Sequence, residues 1–316
     1  MKRLEKRAVM FLALVIAILA VSTSSIFIRF AQRDAPSLTI AALRLTFASL
    51  MLAPGALSRY RSQLLSLTIR ERLLGLLSGV FLAIHFATWI SSLEFTTVAS
   101  SVVLVDTAPL WVALLSPLFL KERLSAGAFL GLGLAFLGSV FIGFSGTCTW
   151  NPVLVCPNLD QVLHGRAIWG DTLALIGALA VTGYLMIGRH LRLRIALLPY
   201  IFLVYSIAAI GLLVAMFIAG EKPIGYSPIT YLWLFLLALV PQIIGHSTYN
   251  WTLRFLPATV VAVTTLGDPI SAATLAYFIL HEVPSATVLL GGALILIGIY
   301  FASKNQAKPE NEVLDE

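Results

Sequence analysis

The chain has 316 residues, of which 59% are hydrophobic and only 11% are charged, and its formal net charge is +6. Soluble domains carry roughly 25% charged residues, so this composition excludes a water-soluble fold of this size. The chain is therefore predicted to be an integral membrane protein.

Ten apolar blocks follow one another along the chain, each long enough to cross a ~30 Å hydrocarbon layer as a helix. They are continuous and rich in Leu, Ala, Ile and Gly, which favours helices over strands of about ten residues with alternating polarity. The first block follows MKRLEKR like a signal peptide, but it is too long and lacks a clear cleavage site, so we expect a retained helix. The predicted spans are residues 8–30, 38–57, 73–93, 98–119, 124–145, 168–188, 198–219, 231–250, 257–280 and 284–303.

The placement of basic residues predicts the orientation, because cytoplasmic loops carry an excess of Lys and Arg. With the N-terminus inside, 16 of the 21 basic residues fall on the inner side, and only Arg29, Arg33, Arg166 and Lys222 fall outside. We therefore expect both termini to be cytoplasmic in a cell inner (plasma) membrane, and the basic balance needs no nucleic acid to explain it.

The longest loop, residues 146–167, then lies outside and connects the two halves of the chain. It contains the only two cysteines, Cys148 and Cys156. An external disulfide between them is one interpretation, and two free thiols are the other.

Two segments that start 160 residues apart resemble each other: DTAPLWVALLSPLFLKE from residue 106 and LGDPISAATLAYFILHE from residue 266. Each has a proline at its fourth position and a glutamate at its seventeenth. The same offset, without gaps, also aligns Arg29 with Arg189, Leu93 with Leu253, Phe95 with Phe255, Ser125 with Ser285, Gly131 with Gly291 and Gly138 with Gly298.

Five helices in each copy is an odd number, so the second copy enters the membrane from the opposite side. The fold predicted is all-α, with ten transmembrane helices as two inverted five-helix repeats at 8–145 and 168–303. The external connecting loop 146–167 and a cytoplasmic polar tail 304–316 complete the chain. Such inverted repeats suit alternating access, which points to a transporter.

Three stretches of the sequence resemble a known family: APLWVALLSPLFLKERLSAGAFLGLGLAFLGSVFI (108–142), its second copy DPISAATLAYFILHEVPSATVLLGGALILIGIYF (268–301), and APSLTIAALRLTFASLML (35–52). They are similar to the EamA branch of the drug/metabolite transporter superfamily, whose members export amino acids and other metabolites or move sugars and nucleotide sugars. The resemblance covers residues 8–303. It implies a central cavity lined chiefly by helices one, three, four, six, eight and nine. The chain differs from the family in its long external loop, and in having His281 and Val283 where the first copy has Lys121 and Arg123.

Polar side chains within the predicted spans are candidate substrate ligands, because burying them in a bilayer is costly. Asp106 and Asp268 lie beside Pro109 and Pro269, and each proline removes a backbone donor and frees a carbonyl one turn earlier. Each aspartate is interpreted either as a ligand or proton site or as a residue tied to a neighbour.

Further candidates come from helical spacing, because His85 with Trp89 and His246 with Asn250 are each separated by four residues and share a face. For these too, a hydrogen-bonded packing role is the alternative. The predicted substrate-binding residues are Ser24, His85, Trp89, Asp106, Tyr184, His246, Asn250 and Asp268. The histidines lack metal-ligand spacing, and we expect no metal and no cofactor.

A second group of residues is expected to be structural or to act in gating: Arg44, Pro109, Pro269, Glu122 and Glu282. Arg44 is predicted to snorkel to the outer interface, to pair with Asp34, Glu94 or Asp106, or to contact an anionic substrate group. The GxxxG motif of Gly127 and Gly131 indicates either packing within the chain or a homodimer seam.

The function predicted is that of an inner-membrane permease that moves a small metabolite, amino-acid-like or related, in efflux by alternating access. Its partners are the substrate and the lipid bilayer, with either proton coupling or uncoupled facilitation. The alternatives are an intramembrane enzyme and a membrane receptor or scaffold without transport. Against an enzyme, the sequence shows no HExxH, GxSxG or phosphate-loop motif. Against a receptor, it shows no soluble signalling domain.

Overall fold

The structure is a computed structural model, and it describes residues 2–120, 126–143, 149–150, 154–155, 165–256, 258–265 and 267–304. The described residues are almost entirely helical, and two of the helical segments are π-helical, π1 and π2. The helices are α1 (Lys2–Ser22), α2 (Ser24–Ala31), α3 (Ser37–Arg59), α4 (Arg61–Leu65), α5 (Ile69–Ser92), α6 (Val98–Val105), α7 (Ala108–Leu120), α8 (Ala126–Gly143), α9 (Arg166–Arg192), α10 (Leu197–Ile218), α11 (Pro228–Leu237), π1 (Ala238–His246), α12 (Ser247–Thr252), α13 (Ala258–Thr264), α14 (Gly267–Leu275), π2 (Ala276–Leu280) and α15 (Ala286–Lys304).

Six helical segments of the described chain are long and apolar enough to cross a membrane, and shorter apolar helices accompany them. This confirms a helical, multi-pass membrane protein. The number of ten crossings stays a prediction. The six segments are Val9–Ala31, Ser37–Arg59, Ile69–Ser92, Arg166–Arg192, Leu197–Ile218 and Pro228–Thr252.

The predicted connecting loop contains a short antiparallel pair of strands, β1 (Thr149–Trp150) and β2 (Leu154–Val155). Thr149 pairs with Val155, and Trp150 pairs with Leu154. This hairpin is the one departure from an all-helical fold among the described residues. Cys148 and Cys156, for which a disulfide was one interpretation, lie outside the described residues, and so does Glu122.

Two apolar stretches are broken in the middle, at the positions of the repeated prolines. α6 ends at Val105 and α7 begins at Ala108, so Pro109 is the second residue of a new helix. Likewise α14 begins at Gly267, with Pro269 in its first turn. From the sequence, each proline was expected to remove a backbone donor and to leave the backbone around it either unwound or kinked. The structure instead places each proline in a first turn, where the missing N–H would have no helical partner.

The final helices of the two repeats, α8 and α15, cross at glycines. A Cβ atom at Gly138 would lie 2.5 Å from the carbonyl oxygen of Gly291, and a Cβ at Gly291 would lie 2.5 Å from that of Gly138. Only glycine permits this backbone approach, which is typical of helix contacts in membranes. This glycine contact is therefore internal to the chain and joins its two halves.

The repeat offset is visible in the hydrogen bonds as well as in the sequence. Arg29 donates from Nη1 to the carbonyl of Leu93. Arg189, 160 residues later, donates from Nη1 to the carbonyl of Leu253 at 2.6 Å. Each arginine thus connects the first predicted span of its half to the end of the third predicted span.

Candidate functional site

A pocket lies between the two halves of the chain, with a wall built by residues from both. Its empty volume is ≈ 650 Å³, including space that opens to solvent. The wall is mostly apolar, with a few polar side chains. The lining residues are Val21, His85, Trp89, Val105, Asp106 and Ala108 from the first half, and Val181, Tyr184, Leu185, His246, Tyr249, Val261, Ala262, Thr265 and Asp268 from the second.

The two helix breaks bring an aspartate from each half to this pocket. Asp106 follows the last residue of α6, and Asp268 lies in the first turn of α14. Within the described part of the chain, Oδ2 of Asp106 and Oδ1 of Asp268 are buried without a hydrogen-bond partner. The two carboxyl groups also interact electrostatically. A buried polar oxygen without a partner is costly, so these two atoms would be stabilised by a hydrogen-bond donor in the pocket.

His85 and Trp89 form one aromatic wall, one turn apart on α5. Their rings are stacked, with centroids 5.9 Å apart and an interplanar angle of 11°. Nδ1 of His85 is 3.0 Å from the carbonyl oxygen of Gly177. Because a carbonyl only accepts, Nδ1 is the donor, and Nε2 of a neutral ring is left to accept a hydrogen bond.

His246 reaches the same pocket from π1, with its ring 6.4 Å from that of His85. Pro241 lies within π1 and removes a backbone donor there. The π-helical turn is wider than an α-helical one and is frequent at functional sites. Gly245 lets α1 approach this turn, because a Cβ atom there would lie 2.5 Å from Cγ2 of Val21.

The structure corrects the expectations for Arg44. This residue is 0% exposed, so it does not snorkel to an interface, and its partners are neutral. Nε donates to Oε1 of Gln242 at 2.9 Å, and Nη1 donates to Oγ of Ser24 at 2.8 Å. The guanidinium also lies 4.1 Å from the ring centroid of Phe86, a cation–π arrangement.

Two of the acids suggested as partners of Arg44 are bonded elsewhere. Asp34 accepts from the N–H of Ser227 at 2.8 Å and from the hydroxyl of Thr230. Glu94 accepts from the hydroxyl of Ser37. Both acids lie in loops at helix ends, whereas Arg44 is two turns inside α3 and faces the core. The third, Asp106, lines the pocket.

Two predicted ligands lie behind the pocket wall rather than in it. Asn250 donates to the hydroxyl of Tyr184 and to the carbonyl of His246, the latter at 2.7 Å. Ser24 is fully buried and accepts from Arg44. The structure therefore assigns Asn250 a contact with two lining residues, and Ser24 a contact with the buried arginine.

Glu282 joins the two halves at one end of the bundle. Its Oε1 is 3.1 Å from Nη2 of Arg29, and its Oε2 accepts from the N–H of Val98 at 2.9 Å. Arg29 also donates to the carbonyls of Leu93 and Thr96. We call Glu282, Arg29 and the Val98 N–H the Glu282 latch. The equivalent glutamate of the first half, Glu122, is outside the described residues.

The comparison with known proteins now places the chain. The sequence profile of the EamA-like transporter family matches residues 8–144 and again residues 168–304. The chain belongs to the EamA-like transporter family.

Curated relatives agree with this family. An uncharacterised transporter of Archaeoglobus fulgidus is 24% identical over 92% of this chain and 94% of its own length. An uncharacterised transporter of Bacillus subtilis is 24% identical over 70% of this chain and 68% of its own. A solved crystal structure has the same fold, with a TM-score of 0.65 at 18% identity, over 95% of this chain and 99% of the other. The chain is thus a membrane transporter by family.

The pocket of this EamA-like chain is lined by the six segments that the family resemblance implied. Six of the eight predicted substrate ligands lie in its wall: His85, Trp89, Asp106, Tyr184, His246 and Asp268. Two further lining residues, Tyr249 and Thr265, are not among the predicted ligands. Tyr249 was apparent in the sequence beside His246 and Asn250, and Thr265 lies three residues from Asp268, so helical spacing could have found it. The aliphatic part of the wall, such as Val21, carries no sequence signal of a binding role.

Proposed function

We propose that the protein is an inner-membrane permease that exports a small metabolite, amino-acid-like or related, by alternating access. In this proposal the chain crosses the membrane ten times, and its two five-helix halves have opposite orientations. The substrate binds in the pocket between them. The halves exchange conformations so that the pocket opens to one side at a time.

The observation that carries this proposal is the composition of the pocket wall. Residues of both halves line it, and the two aspartates occupy breaks in corresponding helical stretches of the two halves. Broken helices beside a central site, at the interface of two repeats, are typical of secondary transporters.

Two further observations support the ten-crossing arrangement. The broken stretches run over residues 98–120 and 258–280, each comparable with the ~20 residues that a crossing helix needs. Loops predicted to be external also meet: Asp34 binds Ser227 and Thr230, and Glu221 accepts from the N–H of Thr39 at 2.9 Å. Contacts of this kind require those loops to share one side.

The direction and coupling of transport are part of the proposal as well. Asp106 and Asp268 are the acids in the pocket wall that would exchange a proton for substrate, because carboxylates in a dry site bind either a proton or a cationic group. Export follows from the family resemblance rather than from the geometry.

The test is transport by purified protein in liposomes loaded with a metabolite panel, with release measured by mass spectrometry. Arg29→Cys and Glu282→Cys, in a background with Cys148 and Cys156 replaced by serine, are joined by a reversible thiol crosslinker. We expect solute release before crosslinking, loss of release afterwards and recovery on reduction, with each single cysteine variant as the control. Release that continues across an intact crosslink would refute alternating access.

A second function is favoured by one observation, the two aspartates that face the same pocket. An intramembrane aspartyl enzyme would need such a pair. Asp106→Asn or Asp268→Asn would then abolish turnover of a peptide or lipid substrate while leaving its binding intact. Ligand binding without release of any solute from liposomes would instead support a receptor.

A further inference from the structure

The polar atoms that remain without a partner in the pocket wall are mostly hydrogen-bond acceptors. Among the described residues, the buried and unpartnered atoms of the wall are Oδ2 of Asp106, Oδ1 of Asp268, the hydroxyl of Tyr249 and Nε1 of Trp89. Asp268, Tyr249 and Trp89 are each at most 5% exposed. Such atoms cost free energy unless a ligand or water satisfies them. Two carboxylate oxygens and a hydroxyl together fit a ligand group with several N–H donors.

The charge of the pocket wall also favours a ligand group that donates hydrogen bonds. Its ionisable side chains include two aspartates and two histidines, and no lysine or arginine lines it within the described chain. Two carboxylates that interact with each other in a poorly hydrated site are compensated best by a positive charge. A cationic group in the ligand supplies that charge.

The nearby arginine does not offer a site for an anionic group. Arg44 donates from Nε to Gln242 and from Nη1 to Ser24, and its guanidinium lies over the ring of Phe86. Its remaining Nη2 has no hydrogen-bond partner among the described residues, but Arg44 is not a lining residue of the pocket. A carboxylate on the ligand would therefore meet the two aspartates without a matching cation.

The rest of the wall fits an apolar or aromatic body. The stacked rings of His85 and Trp89 form one side, and His246 and Tyr249 meet edge to face at 6.4 Å. Aromatic rings bind apolar groups and also attract ammonium ions through their faces. Inorganic cation binding is less well supported, because the described residues contain no group of three His, Cys, Asp or Glu side chains that could hold a metal.

We propose that the pocket binds a primary amine with an aromatic or apolar body and without a carboxylate, its ammonium group held by Asp268, Asp106 and Tyr249. This inference rests on the proposed function and narrows its substrate class from amino-acid-like compounds to amines. The ammonium donates to the two free carboxylate oxygens and to the tyrosine hydroxyl. The body of the ligand packs on the rings of His85 and Trp89.

The experiment compares four ligands of similar size on the purified full chain in lipid nanodiscs: 2-phenylethylamine, phenylalanine, 3-phenylpropionate and 2-phenylethanol. Binding is measured by calorimetry. We expect the amine to bind about tenfold or more tightly than each of the others, because it alone pairs with the carboxylates without adding an anion. Equal affinity for 2-phenylethanol, or tighter binding of phenylalanine or of 3-phenylpropionate, would overturn the inference.

The variants separate a role in ligand binding from a role in folding. Asp268→Asn should lower the affinity for the amine about tenfold or more and leave that for 2-phenylethanol unchanged. Tyr249→Phe should lower it several-fold. The matched control is Asp171→Asn, because Asp171 is a buried carboxylate that is bonded to Ser100 and lies outside the pocket wall. If Asp268→Asn does not fold, Asp106→Asn takes its place, and an unchanged affinity for the amine refutes the inference.

The outcomes also distinguish this inference from the proposed function. Transport of a solute other than an amine, unaffected by Asp268→Asn, would overturn the amine assignment and keep the permease. Binding of 2-phenylethylamine that depends on Asp268, with no solute moved in liposomes, would keep the amine site and overturn the permease. The last outcome compares sodium chloride with choline chloride at the same ionic strength. If only sodium chloride displaces the amine, the site binds an inorganic cation and the inference is refuted.

Discussion

Glu282→Gln should loosen the end of the bundle at which the Glu282 latch joins the two halves. In the structure, one carboxylate oxygen of Glu282 contacts Arg29 and the other accepts from the N–H of Val98, the first residue of α6. Arg29 and Val98 belong to the first half and Glu282 to the second. Any motion that separates the halves at this end must break both contacts, so the latch opposes separation of the halves there.

The size of the effect follows from the exposure and chemistry of the latch. Both charged side chains are 24% exposed, so the pair lies between surface ion pairs at ~0–1 kcal/mol and charged hydrogen bonds at about 1.5–3 kcal/mol. Glutamine keeps one oxygen for the Val98 amide, loses the charge and has an NH2 group in place of the oxygen that contacts Arg29. We therefore expect a loss of about 1 kcal/mol, which shifts the closed-to-open equilibrium roughly fivefold.

The assay is thiol labelling of Ala262→Cys, a small residue of the pocket wall, in a background without native cysteines. A membrane-impermeant maleimide is added to each side of the membrane in turn. With Glu282→Gln, the labelling rate from the latch side should rise about fivefold. Glu94→Gln is the matched control, because Glu94 accepts from Ser37 within the first half and has no hydrogen bond or ion pair to the second half among the described residues. An unchanged rate with Glu282→Gln, or an equal rise with Glu94→Gln, would refute a gating role.

Two further predictions concern stability, each measured by thermal unfolding. Gly138→Ala should destabilise the protein by about 1–3 kcal/mol, because the new Cβ meets the backbone of Gly291. Gly133→Ala in the same helix should not, because a Cβ atom there would have no neighbouring side chain or helix within 4 Å among the described residues, and equal effects would contradict the crossing. The hydrogen bonds from Ser227 and Thr230 lower the pKa of Asp34 below its ordinary 3.8. The wild type should thus have its full additional thermal stability over Asp34→Asn above pH 3.8, and this difference should disappear as the pH falls through the lowered pKa. A difference in stability that is constant with pH would contradict this.

Much of the site was predictable because two of its signals can be read from a short stretch of sequence. These are the helical spacing of side chains and the presence of a charged residue in an apolar span. His85 with Trp89 share a face by spacing alone, and Asp106 and Asp268 are conspicuous because charged residues are rare within apolar spans. The fourth apolar stretch of each repeat was also marked by its proline. What those prolines do was less predictable, since Pro109 could either kink one helix or begin a new one, and the choice depends on packing around the break.

The partners of Arg44 could not be predicted, because they depend on how α3 packs against π1. A long arginine side chain reaches any neighbour within several ångströms, and the sequence gives no distance between segments that are 198 residues apart, such as Arg44 and Gln242. The expectation of an acid partner rests on a general rule for buried charges. Here hydrogen bonds to neutral side chains and the face of Phe86 take the place of the acid.

This difference decides which ligand the pocket favours. Had Arg44 paired with Asp106, the wall would hold one compensated ion pair, and a zwitterion or a neutral solute would fit as well as a cation. Because Arg44 donates behind the wall to Ser24 and Gln242 and not to an aspartate, Asp106 and Asp268 each keep a buried oxygen without a hydrogen-bond partner among the described residues. With a ligand that has no positive charge, those oxygens must either take up a proton or stay unpaired, and an anionic ligand would add repulsion. Selectivity for amines therefore follows from the placement of the one buried arginine as much as from the aspartates themselves.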